Sequence, residues 1–217
     1  PRQPWEFRSK PTWQRLLIMV GGVLVNFLLA LFIYAVIIYT WGEQFLPTKN
    51  VKYGIECDSL AMSIGLRNGD KIVSLDNREV ERFNMVLHDL IVNRTSSIQV
   101  ERDGQIVNIP VPEEIIAPLL KSTGFITVRI PFVVDEFTKE STAPAAGIQK
   151  ENQIIGINDK NIMFFDEFRN ELSKYKNSTV QVTVLRGSEK LTFPVGVNEM
   201  GKIGIYPVGD LSRFFEL

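Results

Sequence analysis

Residues 16–41, LLIMVGGVLVNFLLALFIYAVIIYTW, run for 26 positions without a charge. At about 1.5 Å rise per residue a helix of this length reaches roughly 39 Å, beyond the roughly 30 Å of bilayer hydrocarbon. Apolar residues cover every face, so the amphipathic helix of a soluble protein is a poor fit. Trp13 and Trp41 bracket the run, and Tyr34 and Tyr39 gather toward its far end, as interfacial aromatics do. A secretory signal is shorter and ends at small residues, whereas Trp41-Gly42-Glu43 offers no such site. The stretch reads as a transmembrane helix, and the lipid bilayer is its first expected partner.

Charge predicts the orientation of that helix. Arg2, Arg8, Lys10 and Arg15 stand before it against Glu6 alone, while Glu43 follows it with Lys49 the nearest cation. The positive-inside rule then makes residues 1–15 a cytoplasmic membrane flank and puts everything after Gly42 on the far side. In the flank, Lys10 and Arg15 can snorkel to headgroups, and Trp5, Phe7 and Trp13 suit the interface. Within the span Gly22 and Asn26 lie four apart, on one face. A small residue beside an amide suits close helix packing, so other transmembrane helices are expected against that face.

Beyond the span and its flank, about 170 residues remain, enough for one medium or two small domains. A net charge of −1 with dispersed charges argues against nucleic acid as a partner. The single cysteine, Cys57, has no intramolecular disulfide partner and reads as a small semi-buried side chain. The single histidine, His88, reads as a solvated helix position. One histidine without partners at ligand spacing makes neither a zinc site nor a Ser-His-Asp triad. There is no HExxH, GxSxG, P-loop or CxxC, so the sequence displays no catalytic machinery. The chain begins with Pro1 rather than Met, which reads as a segment of a longer protein.

After a short hinge at 42–47 the chain repeats itself. SLAMSIGLRNGDKIVSLDNREV (59–80) aligns without a gap on STAPAAGIQKENQIIGINDKNI (141–162), an offset of 82 positions. Ser59/Ser141, Ala61/Ala143, Gly65/Gly147 and Ile72/Ile154 coincide, and the match continues through Phe83/Phe165, Leu90/Leu172 and Gln99/Gln181. Such internal similarity means two copies of one small domain, each about 80 residues. In each copy the pattern predicts a turn, a strand (71–75 in the first) and a helix with apolar residues at i, i+3 and i+7. A hairpin follows, at 98–102 and 105–109 around Asp103-Gly104, and at 180–185 and 190–193 around Gly187-Ser188. A last strand, 124–128 or 203–206, closes each copy. The expected units are 48–130, 131–208 and a juxtamembrane segment at 209–217, where Leu211, Phe214 and Phe215 suit a helix.

The run Ser63-Ile64-Gly65-Leu66-Arg67-Asn68-Gly69-Asp70-Lys71-Ile72 resembles the opening motif of bacterial PDZ domains. The second copy keeps Ala145-Ala146-Gly147-Ile148 but has Glu151-Asn152 where Gly-Asp is usual. The closing strand comes last, which resembles the circularly permuted PDZ domains of bacterial proteases. Phe7-x-x-Lys10-x-x-Trp13-Gln14-Arg15 followed by Gly22-x-x-x-Asn26-Phe27 is similar to the second transmembrane region of site-2 intramembrane metalloproteases. One helix followed by two such domains resembles the regulator-of-sigma-E protease type within that family. The fold class implied is one transmembrane α-helix followed by two small α+β, mostly β, PDZ-like domains, circularly permuted.

The resemblance implies a parent enzyme with zinc held by an HExxH helix and an aspartate on another helix, neither present in this sequence. The chain would then be a central, non-catalytic segment, on the periplasmic side of a bacterial inner membrane beyond its helix, with Gly22 and Asn26 flanking the active site. The implied function is regulated intramembrane proteolysis of transmembrane, anti-sigma-factor-like substrates whose ectodomains have been trimmed. The PDZ pair would filter or bind those substrates. PDZ domains add an extended chain end to a sheet edge beside a helix. By resemblance the peptide-binding residues are Gly124, Phe125 and Ile126 with Phe83, Val86, Leu87 and Leu90, and Ile203, Gly204 and Ile205 with Phe165, Phe168 and Leu172. Some of those apolar residues must serve as core. Two other readings compete. A membrane-anchored PDZ scaffold without protease activity remains open; a PDZ-bearing serine protease does not, because only 42–50 separates membrane helix from repeat.

Overall fold

The computed structural model describes Phe7, residues 10–122 and residues 124–217; the flank residues Arg2, Trp5, Glu6 and Arg8 lie outside the described residues. Helix α1, Thr12–Trp41, begins four residues before the apolar run. Pro11 sets that start: its backbone is extended (φ −59°, ψ 155°), and its carbonyl accepts the N–H of Gln14 at 3.0 Å. Gly42 ends the helix at φ +68°, its N–H donating to Ile38 O at 2.8 Å. No residue of the apolar window of α1 is buried. Gly22 and Asn26 are exposed with it, and a Cβ on Gly22 would meet nothing within 4 Å. Residues 1–44 and 45–217 form two separate contact units.

The second unit contains two successive, mostly β halves. The first runs β1 (Ile55–Cys57), α2 (Ser59–Ser63), β2 (Lys71–Leu75), α3 (Met85–Val92), β3 (Ser97–Arg102), β4 (Gln105–Pro110), a 3₁₀ turn and α4 (Ile116–Leu119), then β5 (Ile126–Val128). β2, β3 and β4 make an antiparallel sheet, while β5 returns to pair with β1, Cys57 opposite Ile126. The second half runs β6 (Val134–Phe137), α5 (Ala143–Ala146), β7 (Gln153–Ile157), β8 (Lys160–Asn161), α6 (Phe165–Leu172), β9 (Thr179–Arg186), β10 (Glu189–Gly196) and β11 (Ile205–Pro207). Its sheet order is β10-β9-β7-β8, and β11 pairs with β6. Alternation along the strands buries Ile98 and Val100 in the first core and Val180, Val182 and Val184 in the second.

The repeat is preserved in chemistry where its letters diverge. In the first half, the Asp70 carboxylate accepts Arg67 N–H at 2.8 Å and a two-pronged bond from Arg102, Nε at 2.8 Å and Nη2 at 2.7 Å. In the second, Asn152 Oδ1 accepts Gln149 N–H at 3.0 Å and Arg186 Nη2 at 3.0 Å. Each arginine also reaches a glycine carbonyl, Gly65 or Gly147. The turn therefore survives the change from Gly69-Asp70 to Glu151-Asn152. Glu151 takes the left-handed backbone of Gly69 (φ +68° against +93°), and Arg213 grips its carboxylate at 3.0 and 2.6 Å. An amide offers one acceptor where a carboxylate offers two, and Arg186 Nε is buried without a partner. Asn152→Asp is expected to supply that acceptor and raise unfolding free energy by about 1–2 kcal/mol. Urea denaturation of the two chains checks it.

Several elements differ from the sequence expectation. Phe83 lies in a turn, because α3 begins only at Met85 after Asn84. The closing strands start at Ile126 and Ile205, later than predicted. β1 and β6 were not predicted; at three and four residues they are too short to show alternation. β1 is entered through Gly54 (φ +72°), where a Cβ would stand 2.2 Å from the Gly69 carbonyl oxygen, so only glycine fits. In place of a helix at 209–217 there is one 3₁₀ turn, Leu211–Arg213. Phe215 beyond it is buried against Leu46 and Val51, and the Asn50 amide donates to Glu216 O at 2.7 Å. Both ends of the β-rich unit are thus held together by a small core of their own.

Candidate functional site

In the second half, the residues singled out from sequence come together. Phe165, Phe168 and Leu172 of α6 and Ile203, Gly204 and Ile205 at β11 line one cavity of about 270 Å³. The helix presents them because 165, 168 and 172 fall on one face. Phe168, Leu172 and Ile203 are nearly buried and form the floor; Phe165, Gly204 and Ile205 are half-buried and form the walls. Gly204 has φ +71°, and a Cβ there would lie 2.4 Å from Thr138 Oγ1, so the loop before β11 hugs β6 only as glycine.

Register shows which backbone groups face the cavity side of β11. Thr138 N–H donates to Gly204 O at 2.9 Å, making that pair hydrogen-bonded. Ile205, opposite Phe137, therefore occupies the alternate position, and its own N–H and C=O point away from β6. Among the described residues β6 is the only strand neighbour of β11, so that edge is open. Sequence reasoning missed five further lining residues, Thr138, Arg169, Gly201, Lys202 and Tyr206. Arg169 was legible in principle, standing four residues after Phe165 on the same helical face. Lys202 is solvent-exposed, one residue before the floor residue Ile203, and brings positive charge to the mouth.

The equivalent residues of the first half are used differently. Val86, Leu90 and Phe125 are 0–2 % exposed and belong to the core. Phe83, Leu87 and Ile126 pack against the same core, and Phe83 also joins the cluster around Leu46 and Phe215. The Gly124 N–H meets Ser122 Oγ at 3.3 Å. Ile126 keeps the outward register, since Asp58 N–H bonds Phe125 O and Cys57 faces Ile126. Among the described residues β5 thus pairs with β1 alone, and the matching residues of α3 serve as core.

The remaining singled-out groups are structural. Cys57 is buried, and burial first, then Asp70, Asp58 and Glu56 nearby, pushes its thiol up to about 12. A thiol held protonated is an inert packing group. His88 is exposed, with Nδ1 3.1 Å from Asp89 Oδ1. Among the described residues no group of three or more His, Cys, Asp or Glu could hold a metal. These residues do not fit a zinc site, and no catalytic step is assigned to them.

Comparison with known proteins gives the family. Metalloprotease MmpA of Caulobacter vibrioides is 34 % identical over 105 residues, covering 48 % of this chain and 26 % of that protein. A Rickettsia conorii protein that bears the name of a zinc metalloprotease is 34 % identical over 133 residues, covering 58 % and 36 %. One from Helicobacter pylori strain J99, similarly named, is 26 % identical over 216 residues, covering 95 % and 53 %. The chain spans between about a quarter and about half the length of these relatives. Among solved structures, a PDZ domain of the SdrC-like protein from Listeria monocytogenes aligns with 39 % of this chain and 96 % of its own, at 20 % identity and a TM-score of 0.33. Residues 2–205 match Peptidase family M50, and the chain belongs to that family of site-2 proteases.

Proposed function

We propose that this chain is the substrate-selecting segment of an intramembrane zinc metalloprotease, and that its second half captures an extended peptide between α6 and β11. The observation that carries the reading is the open edge of β11 beside an apolar cavity. An added strand would exchange backbone hydrogen bonds with Ile205, and its apolar side chains would enter the space over Phe168 and Leu172. A chain-terminal carboxylate would sit at Ile203 and Gly204, next to Lys202. Both halves are read as PDZ-type domains in a permuted order, which accounts for a closing strand that pairs with the first. By family the parent enzyme cleaves within transmembrane substrates whose ectodomains have been trimmed, anti-sigma-factor-like proteins included. Zinc would be held by residues of the parent other than those described here. Residues after Gly42 would face the periplasm of a bacterial inner membrane, and α1, through Gly22 and Asn26, would pack on other helices of the parent.

Two experiments test this reading. The chain should bind a fluorescent decapeptide ending in apolar residues with a free carboxylate, and Phe165→Ala should weaken binding about tenfold, as expected for losing one aromatic wall. Deleting residues 50–208 from the full-length enzyme should let untrimmed substrate be cut if the unit acts as a size filter. Continued rejection of untrimmed substrate by that deletion would refute the filter.

A further inference from the structure

The helix that walls the second cavity packs its apolar face in the core of its own half, but its first turn and Arg169 are bonded to the first half of the unit. Asp166, in the first turn of α6, is 2 % exposed and accepts three hydrogen bonds from outside its own half or its border. Arg129, the residue after β5, donates Nε to Oδ1 at 2.9 Å and Nη2 to Oδ2 at 3.1 Å. Asn68, from the turn before β2, donates Nδ2 to Oδ2 at 2.8 Å while its own Oδ1 accepts Cys57 N–H of β1 at 2.8 Å. Arg129 also reaches Glu167 at 2.7 Å, and its guanidinium lies 4.0 Å over the Phe164 ring. Farther along α6, Arg169 lines the cavity, and its guanidinium is paired with Glu56 of β1. Glu56, Asn68 and Arg129 come from one surface of the first half, the ribbon made by β1 and β5 with its flanking turn.

We propose that the first half sets the selectivity of the second groove: Glu56 neutralises Arg169 at its wall, while Arg129 and Asn68 position α6 through Asp166. This rests on reading the α6–β11 cavity as a peptide groove. The consequence is chemical. With Glu56 in place, the Arg169 charge is engaged within the protein and an acidic peptide side chain gains little there. With Glu56 removed, the guanidinium becomes available for a two-pronged bond to a peptide carboxylate. Glu56, Asn68 and Arg129 are positioning residues, since none of them lines the cavity.

The test uses the whole chain in detergent. The probe is a fluorescein-labelled decapeptide of alanine and serine ending in Phe-Ile-Val, together with variants carrying glutamate at each earlier position in turn. Glu56→Gln should leave affinity for the parent peptide unchanged and tighten at least one glutamate peptide about tenfold. Adding Arg169→Gln should cancel that gain. Hydrogen exchange reads the positioning without any peptide: Arg129→Ala should speed exchange of the α6 amides about tenfold or more, with partial recovery in Arg129→Lys. Should Arg129→Ala fail to fold, Asn68→Ala, which keeps the Arg129–Asp166 pair, serves instead. If the wild-type chain binds none of the peptides, the groove reading falls and the selectivity claim with it. If the parent peptide binds but Glu56→Gln changes no glutamate peptide, the groove reading stands and this inference alone is overturned. Unchanged α6 exchange overturns the positioning claim.

Discussion

Arg129→Ala is expected to lower the unfolding free energy by about 3–5 kcal/mol, because it strands a buried carboxylate. Asp166 is 2 % exposed and Arg129 13 %, so the pair sits in low dielectric and its partner cannot turn to water. Asn68 alone would then satisfy a full negative charge. The contrast is the Arg213–Glu151 pair, similarly short at 2.6 Å but with side chains 42 % and 52 % exposed. Arg213→Ala should cost under about 1 kcal/mol, since water replaces the lost partner. Urea unfolding followed by circular dichroism measures both. A cost below about 1 kcal/mol for Arg129→Ala would show that Asp166 is no more demanding than a surface acid.

Phe132→Ala is expected to cost a similar amount, about 3–5 kcal/mol, by a different route. Phe132 is fully buried, and its ring meets those of Phe165 at 4.9 Å and Phe168 at 4.7 Å, both edge-on. Removing it opens a void behind the wall and floor of the cavity, so stability and groove shape should fail together. Phe165→Ala should separate them: that ring is half-exposed, so stability falls less while peptide affinity falls more. Thermal unfolding and peptide titration of the two variants make the comparison. Equal affinity losses at unequal stability losses would mean that Phe132 acts on the groove as directly as Phe165 does.

How much of this was legible in the sequence depends on the length of the signal. The apolar run at 16–41 is long and uniform, and α1 covers it completely. Strand β2 lies at the predicted residues, and helix α6 spans the predicted apolar positions 165, 168 and 172 but ends there, short of the predicted end at Lys176-Asn177. β1 and β6 are too short to read, although each is the only described partner of a closing strand. Of the second cavity, Phe165, Phe168 and Leu172 recur at helical spacing, Ile203, Gly204 and Ile205 were named by resemblance, and the other lining residues carried no signal that was read. In the first half the same spacing describes a core face, and Val86 and Leu90 are that face. Arg129 and Glu56 stood out in no pattern, and Asn68 only as a turn residue of the PDZ-like motif. Their partners, Asp166 and Arg169, lie 37 to 113 positions away, and only the folded chain brings them together.

The repeat also shows how letters can diverge while geometry holds. Asn152 and Glu151 break the Gly-Asp pattern, yet Arg186 holds the turn through Asn152 and the Gly147 carbonyl, and Glu151 takes its left-handed backbone. A motif search scores the residue types; the fold responds to acceptors and to left-handed backbone, which Asn152 and Glu151 supply here.

The function proposed above is that this chain serves a zinc-dependent intramembrane protease. The most direct test is cleavage of a transmembrane substrate by the full-length parent in detergent or liposomes, with and without a zinc chelator. The expected result is cleavage that the chelator abolishes and added zinc restores. Absence of cleavage under every condition, with peptide binding to the α6–β11 groove intact, would contradict it and leave a membrane-anchored peptide-binding scaffold.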